Sequence, residues 1–279
     1  MTPAPILETA NLRVKATRYG VMTYPKNDKY IGRSLDLYGE WSQRSCGQLL
    51  QFLAPDDTVC DIGANIGAMT LMFARHVPHG AVYAFEPVRA HYQLLVTNVT
   101  LNELTNAVPF HAAVGAASGR IVAPRLDLST AANLGAIALE KFSEGEEVPL
   151  IRLDDLELPR CGLLKIDVEG MELDVLRGAV RTIERCSPLI FAENELSDRS
   201  GPVLDLLIDL GYDCYWMINQ LYDPANYFGE SENVFGETGG GDVLCVPRSR
   251  GLTIAGLDRA GRGDTFEAAI ARAKAGGQC

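Results

Sequence analysis

The stretch LLKIDVEGMELDVLRGA, Leu163–Ala179, places Asp167, Glu169 and Glu172 within six residues, where an alternating apolar run gives way to a helical one. Carboxylates at such a junction can take a proton from an acceptor, ligate a metal ion, or cap the helix that follows. Alternation puts Leu163, Lys165 and Asp167 on one side of the strand and Leu164 and Ile166 on the other. A lysine inside a central strand is costly unless paired. Asp167 or Glu193 is its expected partner, in a structural rather than a catalytic role. Glu172 reads as an acid complementing the helix dipole, and Gly170 allows the bend before it. A second acidic strand end, FAENE at Phe191–Glu195, adds Glu193, Asn194 and Glu195. The catalytic candidates are therefore Asp167, Glu169 and Glu193. Asp167 with Glu193 or Glu195 and Asn194 would also make an oxygen-rich Mg²⁺ site, a reading not favoured, because acids at neighbouring strand ends serve equally as base and substrate ligands. His111 sits in a strand and reads first as a core histidine.

A different chemistry is written in VCDIGANIGAMT, Val59–Thr70. Here a strand ends in Asp61, and Gly63 and Gly67 permit a tight turn with close backbone approach before a helix starts. A dinucleotide fingerprint requires G-x-G-x-x-G with a pyrophosphate over the helix N-terminus. Asn65 replaces the middle glycine, and Asp61 beside the loop would repel a pyrophosphate while suiting a ligand with cationic parts. S-adenosylmethionine carries a sulfonium and an ammonium and no phosphate. The next strand, AVYAFEP, ends in Glu86, placed to accept both ribose hydroxyls. NAD enzymes share that acid, so it does not discriminate alone. The P-loop is excluded by the missing G-K-[ST].

Taken together, VCDIGANIGAMTLMFAR, VYAFEPV, LDDL and LLKIDVEGMELDVLRGA resemble, in order and spacing over about residues 57–195, the FkbM family of S-adenosylmethionine-dependent methyltransferases. The resemblance implies a class I methyltransferase fold and methyl transfer, typically to a hydroxyl of a sugar, polyketide or other small metabolite. It implies a donor loop of Asp61, Gly63, Asn65 and Gly67, a ribose contact at Glu86, and Pro87 and Val88 flanking the adenine. Ala64, Ala113 and Asp167 complete the expected donor contacts. Glu40 is expected near the methionine ammonium and Arg33 near a carboxylate, if the segment around Tyr30, Arg33, Tyr38 and Glu40 folds over the pocket; a surface hairpin is the alternative.

These residues need a scaffold. From residue 57, short apolar runs alternate with amphipathic stretches, the pattern of a parallel sheet covered on both faces by helices. Strands are expected at 58–62, 81–85, 107–114, 162–167, 189–193, 213–218 and 242–247, with helices near 66–76, 88–103, 170–184 and 201–210. The fold class is α/β, Rossmann-like: a doubly wound, seven-stranded, mostly parallel sheet with an antiparallel edge strand, since no helix separates the last two strands. Residues 1–56 read as an N-terminal cap with a helix from about Ser42, 57–248 as the methyltransferase domain, and 249–279 as a tail with a helix opened by Asp264 and Glu267. A hairpin-like insertion occupies about 119–152. The aromatic connection at about 219–240 is too long for a plain turn and reads as a lid or pocket wall.

Composition narrows the partners. Lys plus Arg total 25 against 36 Asp plus Glu, a net charge of −11, the wrong sign for a phosphate backbone or an anionic membrane surface. The [DNS]-P-P-[YFW] motif of adenine-amino methyltransferases is also missing. No signal peptide or membrane-spanning run is recognisable, so a cytoplasmic protein is expected. The seven cysteines (Cys46, Cys60, Cys161, Cys186, Cys214, Cys245, Cys279) lack a C-x-x-C pair and read as reduced thiols. The expected partner is a small hydroxylated acceptor, with a homodimer through the tail helix open. Transfer to an amine, and a donor-binding module without catalysis, are the competing functions.

Overall fold

The computed structural model describes residues 3–195 and 197–275; Cys279 lies outside them. The chain opens with a three-stranded antiparallel sheet of β1 (Leu7–Glu8), β2 (Leu12–Thr17) and β3 (Gly20–Pro25), followed by α1 (Ile31–Leu37) and α2 (Gln43–Leu50). Alternation then begins: β4 (Thr58–Ile62), α3 (Ala68–His76), β5 (Ala81–Phe85), α4 (Arg89–Leu101) and β6 (Ala107–Phe110). The insertion is a small separate sheet of β7 (Ala113–Val114), β8 (Gly119–Ala123) and β9 (Glu146–Ile151), with β8 and β9 antiparallel. Next come β10 (Leu163–Ile166), α5 (Glu172–Arg177), α6 (Val180–Cys186), β11 (Leu189–Glu193) and α7 (Ser197–Asp209). The chain ends in β12 (Tyr212–Gln220), β13 (Gly239–Pro247), β14 (Asp258–Ala260) and α8 (Phe266–Ala275).

The main sheet has eight strands in the order β14-β12-β13-β11-β10-β4-β5-β6. Its core from β11 to β6 is parallel, and β13 runs antiparallel to both β11 and β12. The reversed strand is thus internal, and the eighth strand, β14, forms the antiparallel edge beside β12. Its sequence, Asp258–Ala260, has no apolar alternation to announce it. From β4 the chain winds outward through β5 to β6, then returns to build β10 and β11 on the other side. The carboxyl ends of β4 and β10 therefore flank the switch point, where such sheets open a ligand crevice.

Side-chain alternation divides the core. Val59, Val82, Leu163 and Leu189 face α2, α3 and α4, while Cys60, Ile62, Leu164, Ile166 and Ile190 face α5, α6 and α7. Burying both faces explains why these strands read as continuous apolar runs. The N-terminal sheet joins the first core through Met22 and Tyr24. It is pinned by the buried Asn98 of α4, which accepts from Thr23 N (2.7 Å) and donates to Thr23 O (3.0 Å) and to Ile66 O (2.8 Å) in the loop after β4.

Two expected elements divide. The run 107–114 is split at His111, whose ring bonds Pro87 O (3.0 Å) and stacks on Tyr92, so β6 and β7 enter different sheets. The expected helix 170–184 is α5 and α6. At Gly178 between them, a Cβ would stand 2.1 Å from Gly115 O, so the close approach of the insertion to that break requires glycine. The six described cysteines are free, five of them buried. No described helix is long and apolar enough to cross a membrane.

Candidate active site

A cavity of about 410 Å³ opens over the carboxyl ends of β4, β5, β10 and β11. One end is built by the loop after β4. Gly63 and Ala64 donate to Phe85 O (3.0 and 2.9 Å), which draws the loop against β5. Asn65 takes a left-handed φ of 51° and Gly67 a φ of 90°. Glu86, 4% exposed, holds the loop with both oxygens: Oε2 accepts from Asn65 N (2.9 Å) and Oε1 from Val88 N (2.8 Å). Each oxygen keeps a free lone-pair direction. Pro87 and Val88 continue the wall, and Ala113 closes it from β7. His91, which sequence reasoning missed, lines the same end with Nδ1 3.8 Å from Glu86; its place one helical turn past Val88 was the signal.

Gly63 also touches the opposite strand end. A Cβ there would sit 1.7 Å from Asp167 O, and its φ is +78°. Gly63→Ala is expected to cost at least about 2 kcal/mol through clash and left-handed strain. Chemical denaturation measures this, and an unshifted midpoint would show that the two strand ends do not depend on their contact.

Asp61 is placed otherwise than the sequence suggested. It is fully buried beneath the loop, accepts from Thr70 Oγ1 (2.5 Å) and pairs with Lys165 Nζ (3.1 Å), and it does not line the cavity. Alternation turns it toward α3, on the face that also carries Lys165. Gly67 likewise shapes the start of α3 without lining the cavity. Lys165 takes Asp61, directly opposite it on β4, as its nearer partner and Asp167 (3.6 Å) as its second; Glu193 is not among its ion pairs.

The other end is acidic. Asp167, Glu169 and Glu193 line it, and each offers a carboxylate oxygen with all three atoms within 4.8 Å of one another. An all-oxygen set suits a hard cation, but acids on an open surface reach the same spacing without one. Glu195 lines the cavity too and accepts from Gly241 N (2.7 Å). Asn194 does not line it. Glu172 turns away to accept from Val168 N (3.2 Å) and Gly170 N (3.0 Å), bracing the turn that leads into its own helix. Sequence reasoning missed Asp242, which stands opposite Glu193 in the β11–β13 register and lines the cavity. Its signal was an acid opening an apolar strand, with no indication of the partner strand.

Three segments outside the alternating core roof the cavity: Tyr30 and Ile31 before and in α1, Gly135–Ile137 of the insertion, and Leu221, Asp223 and Thr238 of the β12–β13 connection. Asp28 joins the first two, accepting from Gly32 N (2.8 Å) and Leu134 N (3.3 Å). Tyr38 joins the first and third, donating to Glu232 O (2.8 Å) and accepting from Val234 N (2.9 Å). Glu40 lines the cavity while Oε2 accepts from Arg18 Nε (2.7 Å) and Tyr227 N (2.9 Å). Arg33 is exposed and stands outside the lining.

The sequence of this site matches the family model described as the methyltransferase FkbM domain over residues 61–214 of 279. The chain belongs to the FkbM methyltransferase family. Its sheet, with one reversed strand inside a doubly wound parallel core, is the class I methyltransferase fold of that family. Among its relatives, Methyltransferase 1 of Beauveria bassiana is 29% identical over 147 residues, covering 44% of this chain and 59% of that one. The hexuronic acid methyltransferase AglP of Haloferax volcanii is 28% identical over 159 residues, covering 55% and 62%. The chain thus spans about three fifths of these relatives' lengths. A crystal structure of methyltransferase FkbM from Methylobacillus flagellatus superposes with a TM-score of 0.46 at 17% identity, covering 69% of this chain and 44% of that chain.

Electrostatics differ between the two ends of this FkbM site. Burial, then Asp167 and Glu172, pushes Glu169 up to about 8 from an ordinary 4.5. Burial also lifts Glu193 and Asp242 well above the carboxylate range, with Asp167 adding to both. For Lys165, burial works against the charge, but Asp61 and Asp167 outweigh it and raise the group. Between pH 4.5 and about 8 the unfolded chain has released the Glu169 proton and the folded chain retains it. Unfolding therefore releases a proton in that window, and raising the pH lowers stability. The Tm of the native chain is expected to fall more steeply over that range than the Tm of Glu169→Gln; parallel profiles by thermal melts would contradict the shift.

Proposed function

We propose that this chain transfers a methyl group from S-adenosylmethionine to a hydroxyl of a small metabolite or sugar, with Asp167 as the base. One observation carries the reading: the loop braced by Glu86 and the Asp167 acid cluster share one cavity across the sheet's switch point. The residues at the first end fit the donor. Glu86 offers unused lone pairs to a ribose, the Gly63–Asn65 backbone approaches closely, and Pro87 and Val88 flank an adenine. Glu40 offers its Oε1 to an ammonium. When bound, the donor supplies the methyl group on a sulfonium. The chain's own task is to align the acceptor and remove its proton. Asp167 is suited to the second part, since its ion pair with Lys165 presents a carboxylate at the cavity and its side chain is 43% exposed. Burial raises Glu193 and Asp242 above the ordinary carboxylate range, which favours their protonated forms as hydrogen-bond donors to a polyhydroxyl acceptor.

An amine acceptor is the second reading, favoured by the concentration of Glu169, Glu193, Glu195 and Asp242 around Asp167, since an ammonium would draw these acids back to their charged forms. Incubation with labelled donor and a panel of hydroxylated and amine metabolites decides between them. Mass spectrometry finds the methylated product, and NMR of that product locates the new methyl on oxygen or nitrogen. Label on amines alone would overturn the hydroxyl assignment. Donor binding with no transfer to any acceptor of either class would favour a module without catalysis.

A further inference from the structure

We infer that Lys165 is the positioning residue that locks Asp167 to the donor loop, so that the base and the methyl donor are held in one register. The inference rests on the proposed role of Asp167. The Lys165 ammonium donates hydrogen bonds to the Gly63 and Ile62 carbonyls of the donor side and stands within ion-pair distance of Asp61 beneath the loop and of Asp167 on the acceptor side. Nζ lies 2.7 Å from Gly63 O, 3.1 Å from Asp61 Oδ1 and 3.6 Å from Asp167 Oδ2, with Ile62 O at 3.4 Å. Gly63 and Asp61 belong to the donor side, Asp167 to the acceptor side.

A purely structural role is met more cheaply by other residues. The neighbours Leu163, Leu164 and Ile166 are apolar and fully buried, and a buried ion pair is commonly no more stabilising than well-packed apolar side chains of the same volume. Packing alone would be met by apolar side chains at both Lys165 and Asp61, since replacing the lysine by itself strands the buried Asp61 carboxylate. The Lys165 Nζ is instead at the floor of the cavity, where β4 and β10 touch. Asp167 N donates to Ile62 O (3.0 Å), so the main chains of the two strand ends are already joined. Lys165 adds the side chain of Asp167 to that joint. Without the ammonium, the Asp167 carboxylate loses its ion pair with Lys165 and is free to rotate in the cavity mouth. Misplacement of a reacting group by about 1 Å is enough to cost about 100-fold in rate.

The test compares Lys165→Met, Lys165→Gln, Asp167→Asn and the double variant Lys165→Met/Asp167→Asn in the full chain, with donor affinity measured by calorimetry and kcat measured at saturating donor and acceptor. Circular dichroism and thermal melts report the fold. Lys165→Met is expected to lower kcat by about 10-fold or more and to weaken donor affinity about 3- to 10-fold. The double variant is expected to be no slower than Asp167→Asn alone, because the lysine acts on rate through that carboxylate. A lysine that only stabilises the fold would lower Tm while leaving kcat at saturation unchanged, or would multiply with Asp167→Asn. Either result overturns the inference. If Lys165→Met does not fold, Lys165→Gln, which keeps a donor for Gly63 O without the charge, decides by the same readings. Loss of activity in Asp167→Asn with native kcat in the lysine variants would reject the positioning role alone. Native kcat in Asp167→Asn would reject the base assignment beneath it.

Discussion

Asp167→Asn is expected to lower kcat by about 10²- to 10⁴-fold, the range attributed to a positioned general base, while donor affinity stays within about threefold of the native chain. The substitution preserves size and the backbone contact to Ile62 O (3.0 Å), so the strand end stays in place. What it removes is the negative charge facing the cavity beside Lys165. Among the cluster acids, burial and then the Asp167 charge push Glu169 up to about 8 and raise Glu193 and Asp242 well above the ordinary carboxylate range, which favours the forms that cannot take a proton. They therefore do not substitute for Asp167 near neutral pH. Steady-state kinetics with calorimetry of donor binding separates the two quantities, and an undiminished kcat would remove Asp167 from the mechanism.

Glu86→Ala is expected to act on the other quantity, weakening donor affinity by about 100-fold. Each charge-assisted hydrogen bond contributes about 1.5–3 kcal/mol, and the substitution removes those proposed to the ribose together with the two that fix Asn65 N and Val88 N. Asn65, in its left-handed conformation, would then lack the acceptor that holds it there. Glu86→Gln keeps one acceptor oxygen and should lie between the two. Donor affinity unchanged in Glu86→Ala would sink the placement of the ribose.

Much of this site was legible because its residues lie at strand ends, and strand ends are marked locally. An apolar run that stops at Glu86, Asp167 or Glu193 gives both the element and the direction in which its last side chain leaves the sheet. Register is not marked locally. That Asp61 would meet Lys165, and so brace the loop from beneath rather than face the ligand, follows from the pairing of β4 with β10 across a hundred residues of sequence. Asp242 was invisible for the same reason, since only the antiparallel pairing of β13 with β11 brings it to Glu193. The roof was harder still. Asp28 is an ordinary polar residue until the insertion supplies its partner, and Tyr38 and Glu40, which stood out in a segment that read equally as a cover or a surface hairpin, find their partners only in the β12–β13 connection. The edge strand β14 has only three residues, too few for a periodic signal.

The central claim is that the cavity at the β4–β10 switch point is a methyl-donor site, and titration calorimetry of the native chain addresses it most directly. S-adenosylmethionine is predicted to bind saturably, with one molecule per chain, and to be displaced by S-adenosylhomocysteine, while NAD fails to compete because Asn65 stands where its pyrophosphate loop requires the middle glycine. Absence of saturable S-adenosylmethionine binding, or its displacement by NAD, would contradict the account.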